Sequence, residues 1–84
     1  MAQTHWHVYM VRCGDGSLYT GITTDLERRL GEHNSGKGAA YTRSRLPVSL
    51  VYREEYMNES DARKREAAIK KLPKSEKERI AVRR

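Results

Sequence analysis

Apolar side chains occupy alternate positions on both faces from His5 to Cys13. Trp6, Val8 and Met10 lie on one face, and Tyr9, Val11 and Cys13 on the other. This pattern predicts a strand covered on both sides. Gly14-Asp15-Gly16 is a turn signal, and Ser17 to Thr23 predicts the returning strand of a hairpin. Thr24-Asp25-Leu26-Glu27 has the capping-box pattern, with Thr24 at the N-cap. A helix is expected from Asp25 to about Asn34, ended by Ser35-Gly36. Lys37 to Arg43 reads as a Gly-led loop or short helical turn. Val48 to Tyr56, after Pro47, predicts a third strand with Val48, Leu50, Tyr52 and Tyr56 on one face. Asn58 is the expected cap of a second helix running to about Leu72. Ser75-Glu76-Lys77-Glu78 is a further capping box, opening a short C-terminal helix. The order is β-β-α-β-α-α, a small sheet with helices against it.

Several polar residues fall where this pattern calls for apolar ones. Steps of about 100° per residue put Leu26 and Leu30 on one face of the first helix, with Arg29 about 60° and His33 about 20° from Leu26. Arg28, Glu27 and Glu32 point elsewhere. On the second helix Ala62 and Ile69 mark the inward face, flanked by Glu66 and Arg65 at about 40° and 60° from Ala62 on opposite sides. A carboxylate beside an apolar stripe must be paired or bind a metal. The plain structural reading of Glu66 is an ion pair with Lys70, four residues on. For Arg29 and His33 it is a half-buried polar head on a packed stem.

Composition narrows the field. Eighty-four residues make one domain, 1–84, with room for only a thin core. The longest apolar run is Val8 to Val11, so neither a membrane span nor a signal-peptide core is expected. The single cysteine, Cys13, rules out an intrachain disulfide and disfavours a Cys-based zinc site, which points to the cytoplasm. No GxGxxG and no GK[ST] loop is present, and no organic cofactor is expected. The net charge of +6 is uneven: residues 1–58 carry seven basic and six acidic side chains, residues 59–84 ten and five. The surplus lies on the second helix and on the basic C-terminal helix and tail from about 74 to 84. It suits either a solvated helical face or an anionic partner such as nucleic acid.

The chain has five tyrosines and no Phe. Tyr9 and Tyr19 sit on the two hairpin strands, and the loop decides whether they share a face. A three-residue loop, Gly14 to Gly16, pairs Tyr19 with Val11 and puts both tyrosines on one face. A two-residue loop pairs Tyr19 with Arg12 and separates them.

Together these residues resemble the GIY-YIG nuclease superfamily. His7-Val8-Tyr9 and Tyr19-Thr20-Gly21 stand where the two signature triads fall. Leu26-Glu27-Arg28-Arg29, His33, Gly36-Lys37-Gly38, Tyr41-Thr42 and Ala62-Arg63-Lys64-Arg65-Glu66 with Ile69-Lys70 follow in order. The order and spacing look like the small stand-alone bacterial GIY-YIG proteins, from about Trp6 to Ile80. The resemblance implies an α+β fold, a three-stranded antiparallel sheet flanked by helices, and metal-dependent hydrolysis of phosphodiester bonds in DNA. It implies catalytic roles for Tyr9, Tyr19, Arg29, His33 and Glu66, with Glu66 holding one Mg²⁺ or Mn²⁺. Active members often carry an Asn on the last helix, and Lys74 to Arg84 contains none.

On this reading Arg29 offers a fixed guanidinium to the phosphate oxygens. Tyr9 or Tyr19 accepts the proton of the attacking water; Tyr9 is the favoured base, with Tyr19 positioning phosphate or water, and His33 hydrogen-bonds a tyrosine or shares the relay. An ordinary tyrosine is a poor base at neutral pH, so nearby cations are expected to favour the phenolate. Lys37, Arg43, Lys70 and Lys74 are the expected backbone-gripping cations for DNA. The chain is expected to act as a monomer. The competing reading is a basic nucleic-acid-binding domain that keeps the fold without turnover.

Overall fold

The computed structural model describes residues 5–82. Seven elements follow one another: β1 Trp6–Arg12, β2 Leu18–Thr23, α1 Leu26–Asn34, α2 Ala40–Arg43, β3 Ser49–Tyr56, α3 Glu59–Lys70 and α4 Lys74–Val82. The strands form one antiparallel sheet in the order β2-β1-β3. This is the expected α+β arrangement, with the 37–43 segment supplying the short α2. Arg83 and Arg84, the end of the expected basic tail, lie outside the described residues.

The central strand β1 is apolar on both faces because both faces are covered. Val8 and Met10 pack with Ala62 and Ile69 of α3, joined by Trp6, Leu18, Ile22, Val51, Tyr52, Tyr56 and Ile80. Tyr9, Val11, Cys13 and Val48 form a second core, joined by Tyr19, Leu26, Leu30 and Leu50. Helices α3 and α4 therefore cover one side and α1 the other. Among the described residues, no helix is long and apolar enough to cross a membrane.

The hairpin settles its register through the three-residue loop. Val11 pairs with Tyr19 and Tyr9 with Gly21, so Tyr9 and Tyr19 share a face. Gly16, at φ +87°, supplies the left-handed residue that such a loop uses.

Three local expectations are corrected. The N-cap of α1 is Asp25, not Thr24: its carboxylate accepts from Arg28 N–H at 3.0 Å. A charged acceptor at the positive end of the helix is the stronger cap. Helix α4 begins at Lys74, so Ser75 lies inside its first turn; the Pro73 carbonyl accepts from the amides of Glu76 and Lys77. The one-face reading of β3 also fails. An irregularity opposite Met10 and Val11 inserts Val51, so Met10 pairs with Tyr52 but Val11 with Leu50. Val48 and Leu50 thus join the α1 side, while Tyr52 and Tyr56 join the α3 side.

Candidate active site

The candidate site lies on the α1 side of the hairpin. β1 presents Tyr9, β2 presents Tyr19, and α1 presents Arg29 and His33 one turn apart. His33 is wholly buried and touches both tyrosines. Its Nε2 lies 2.8 Å from the Tyr9 hydroxyl. The Tyr19 ring stands edge-on to the imidazole, centroids 5.4 Å apart at 67°. On its other side His33 Nδ1 lies 2.8 Å from Thr42 Oγ1.

Thr42 fixes the tautomer. Its hydroxyl donates to the Ala39 carbonyl at 3.1 Å, which leaves Oγ1 to accept from His33 Nδ1–H. Nε2 then carries the lone pair and accepts the Tyr9 hydroxyl hydrogen. Burial, with Arg29 nearby, lowers the His33 pKa, so the ring is neutral at neutral pH. Thr42 was visible in the sequence only as part of Tyr41-Thr42; its hydrogen bonds depend on α2 folding back onto α1.

Tyr9 departs from expectation. Burial raises its pKa and outweighs Arg29, which lowers it; Tyr19 and Glu66 push the same way as burial. The phenolate is therefore disfavoured at neutral pH, not favoured, because taking the ring out of water costs more than one nearby guanidinium returns. The proton on Tyr9 has an acceptor in place, His33 Nε2.

Arg29 turns inward and Arg28 outward, as the helical spacing required. Arg29 is 28% exposed and meets Glu32 at 2.9 Å, whereas Arg28 reaches the other Glu32 oxygen from an exposed position. Glu32, expected to point elsewhere, therefore braces both arginines. Its carboxyl is held below the usual range, first by Arg29 and then by Arg28 against the pull of burial.

Two glycines make room for these rings. A Cβ on Gly21 would sit 2.6 Å from the Tyr9 hydroxyl oxygen, and one on Gly38 would strike the His33 ring. The sequence offered Gly21 only as the end of a triad, with no sign of what it accommodates.

Glu66 comes from α3, behind the sheet, and its side chain is 18% exposed. β2 is an edge strand, and side chains of α3 reach past it: Lys70 Nζ lies over the Tyr19 ring at 5.9 Å. The charge of Glu66 adds to the upward push on the Tyr9 pKa. Glu66 also makes the expected ion pair, with Lys70 at 3.1 Å. Opposite Glu66 on the same helix, Arg65 Nε donates to Glu54 at 3.0 Å, and Tyr52 and Tyr56 donate to the same carboxylate at 2.5 and 2.6 Å. Burial would raise the Glu54 pKa, but Arg65 and the two hydroxyls hold it below the usual range.

Among the described residues no group of three or more His, Cys, Asp or Glu is arranged to hold a metal ion. A lone carboxylate excludes a closed cage of zinc type. It fits a magnesium-like ion, which keeps several waters and draws other ligands from phosphate.

Of the expected DNA-gripping cations, Lys70 is at the site. Lys37, in the connection after α1, Arg43, at the end of α2, and Lys74, opening α4, are exposed, and among the described residues no side-chain hydrogen bond or ion pair joins them to the site residues. Lys77 was not singled out, yet with Leu18, Tyr19, Thr20, Tyr41 and Lys70 it lines a cleft of about 270 Å³ beside β2.

The molecule is thus a small α+β domain with a three-stranded antiparallel sheet, a tyrosine on each hairpin strand, and an arginine and a histidine on the next helix. The GIY-YIG catalytic domain matches residues 5–79, and the chain belongs to that family. A UPF0213 protein of Desulfotalea psychrophila is 62% identical over 73 residues, covering 86% of this chain and 66% of the relative. A UPF0213 protein of Halobacterium salinarum is 50% identical over 74 residues, covering 88% and 96%. The solution structure of a protein from E. faecalis superposes with a TM-score of 0.61 at 48% identity, covering 89% of this chain and 80% of that one.

Proposed function

We propose that the chain is a metal-dependent endonuclease that hydrolyses phosphodiester bonds in DNA. Membership of the GIY-YIG family supports the reaction class. The observation that carries the mechanism is the Tyr9–His33 hydrogen bond, 2.8 Å long and buried. A neutral phenol cannot by itself take a proton from water. A phenol whose own hydrogen points at a neutral imidazole can, because it passes that hydrogen on as it accepts another. Tyr9 is therefore the proton-accepting group toward the attacking water, and His33 receives the proton at Nε2. Arg29 faces the non-bridging phosphate oxygens, held in place by Glu32. Tyr19 positions phosphate or water from the neighbouring strand. Glu66 is the residue that would hold Mg²⁺ or Mn²⁺; such an ion, when bound, neutralises charge on the phosphate. Lys37, Arg43, Lys70 and Lys74 hold the DNA backbone and add affinity without sequence choice.

A labelled panel of duplex, flap, branched and single-stranded DNA incubated with each metal tests the reading. Wild type yields products, and folded Glu66→Ala and Arg29→Ala variants yield none; equal products from all three would refute the site. The Glu66–Lys70 ion pair supports a second reading, a nucleic-acid-binding domain without turnover. That reading expects salt-sensitive binding and no products with either metal.

A further inference from the structure

The cleft beside β2 is built of parts that a phosphate-gripping groove does not need. The Tyr41 ring, 38% exposed, lies nearly parallel to Tyr19, with centroids 5.9 Å apart and planes at 22°. Arg45 lies 4.0 Å over the Tyr41 ring, and its guanidinium also donates to Asp15 and to the Tyr41 carbonyl. Arg45, itself tied to Asp15, and the neighbouring Tyr19 ring together hold Tyr41 in place, while part of the ring stays open to solvent. Two cations, Lys70 and Lys77, share the cleft with the two rings. A duplex keeps its base faces stacked inside and offers an exposed aromatic pair nothing to stack on. An unpaired strand offers both a π-face and a phosphate, the two chemistries lining this cleft. Tyr19 joins the two regions, since one part of its ring meets His33 and another lines the cleft.

We propose that this cleft is a base-binding subsite that takes an unpaired nucleotide of a DNA strand, packing its base against Tyr41 and Tyr19 with Lys70 and Lys77 on the adjoining phosphates. Tyr41, Arg45 and Lys77 thereby gain roles outside the hydrolytic site. The assignment rests on the nuclease reading for its ligand class and sharpens it. The substrate is DNA with a single-stranded segment at the cleft.

Binding in the presence of EDTA tests the subsite without turnover, so failure of the hydrolytic reading and failure of this one are read in different assays. Fluorescence anisotropy would follow a labelled single strand, the same strand with abasic positions, and the corresponding duplex. The unmodified single strand should bind wild type more tightly than the duplex. Tyr41→Ala should weaken single-strand binding about tenfold to a hundredfold and change duplex binding by less than about twofold, while Tyr41→Phe binds as wild type. The abasic strand should bind wild type as weakly as the ordinary strand binds Tyr41→Ala. An abasic strand bound as tightly as the ordinary one, or equal weakening of strand and duplex by Tyr41→Ala, would overturn the proposal.

Discussion

Thr42 decides which nitrogen of His33 carries the hydrogen, and it does so with one hydroxyl already committed to Ala39. Thr42→Val keeps the shape but leaves a buried N–H without an acceptor. It should cost about 1–3 kcal/mol in chemical denaturation and slow cleavage, with Thr42→Ser restoring both. Gly21→Ala should fold but displace the Tyr9 hydroxyl, lowering the cleavage rate in a single-turnover assay. The proton inventory also sets a pH profile. His33 has its pKa lowered in the folded chain, so it stays neutral down to below the usual histidine value and protonates only in more acid solution. Cleavage should therefore rise from acid pH through an inflection below the usual histidine value to a plateau, and should not climb steadily toward alkaline pH. The same lowered pKa means that stability conferred by neutral His33 is present above the unfolded histidine pKa and is lost as pH falls below it.

At the scale of elements, α3 has only Ala62 and Ile69 fully buried, a small apolar contact for a 12-residue helix. Its rotation is set instead by Arg65 on Glu54, with Tyr52 and Tyr56 completing the carboxylate's partners. Arg65→Met should destabilise the fold by about 1–2 kcal/mol, a modest loss because Arg65 keeps water on part of its surface. The Glu54 pKa is lowered, so its contribution is present above the usual carboxylate range and lost as pH falls through the depressed value. Tyr56 runs the other way. Its bond to Glu54, aided by burial, pushes its pKa up to about 12, so stability should fall as pH rises from about 10 toward that value. Thermal melts across pH would show both edges.

Much of this architecture was legible because it depends on short-range patterns. Alternation marked β1, and helical spacing separated inward Arg29 from outward Arg28. The hairpin register was not legible, since Gly14-Asp15-Gly16 allows two loops that differ only in where pairing stops. The insertion of Val51 into β3 was equally hidden: alternation continues through it on paper, while the side chains change faces in space. Thr42, Tyr41 and the Glu54–Arg65 pair gain their roles from contacts across 9 to 22 residues of chain, which no local pattern encodes. The raised pKa of Tyr9 has the same origin, because burial is a property of the assembled core.

On the scale of the whole molecule, the candidate site and the neighbouring cleft lie along the edge strand β2. The basic surplus after residue 58 collects on α3, α4 and the chain beyond. Lys70 and Lys77 bring part of it to the same edge. Single-strand binding should accordingly weaken with salt, and Lys77→Ala should reduce the slope of log affinity against log salt by about 0.7. The Arg12–Glu78 pair, two parallel contacts of 2.6 and 2.8 Å, fastens α4 to β1 and keeps Lys77 at the cleft. The most direct test of the whole account is the cleavage rate of labelled DNA with Mg²⁺ by wild type and by Tyr9→Phe, which removes one oxygen and preserves the packing. A loss of about a hundredfold or more in a variant with wild-type stability is the predicted result. Equal rates in the two proteins would contradict the tyrosine–histidine relay.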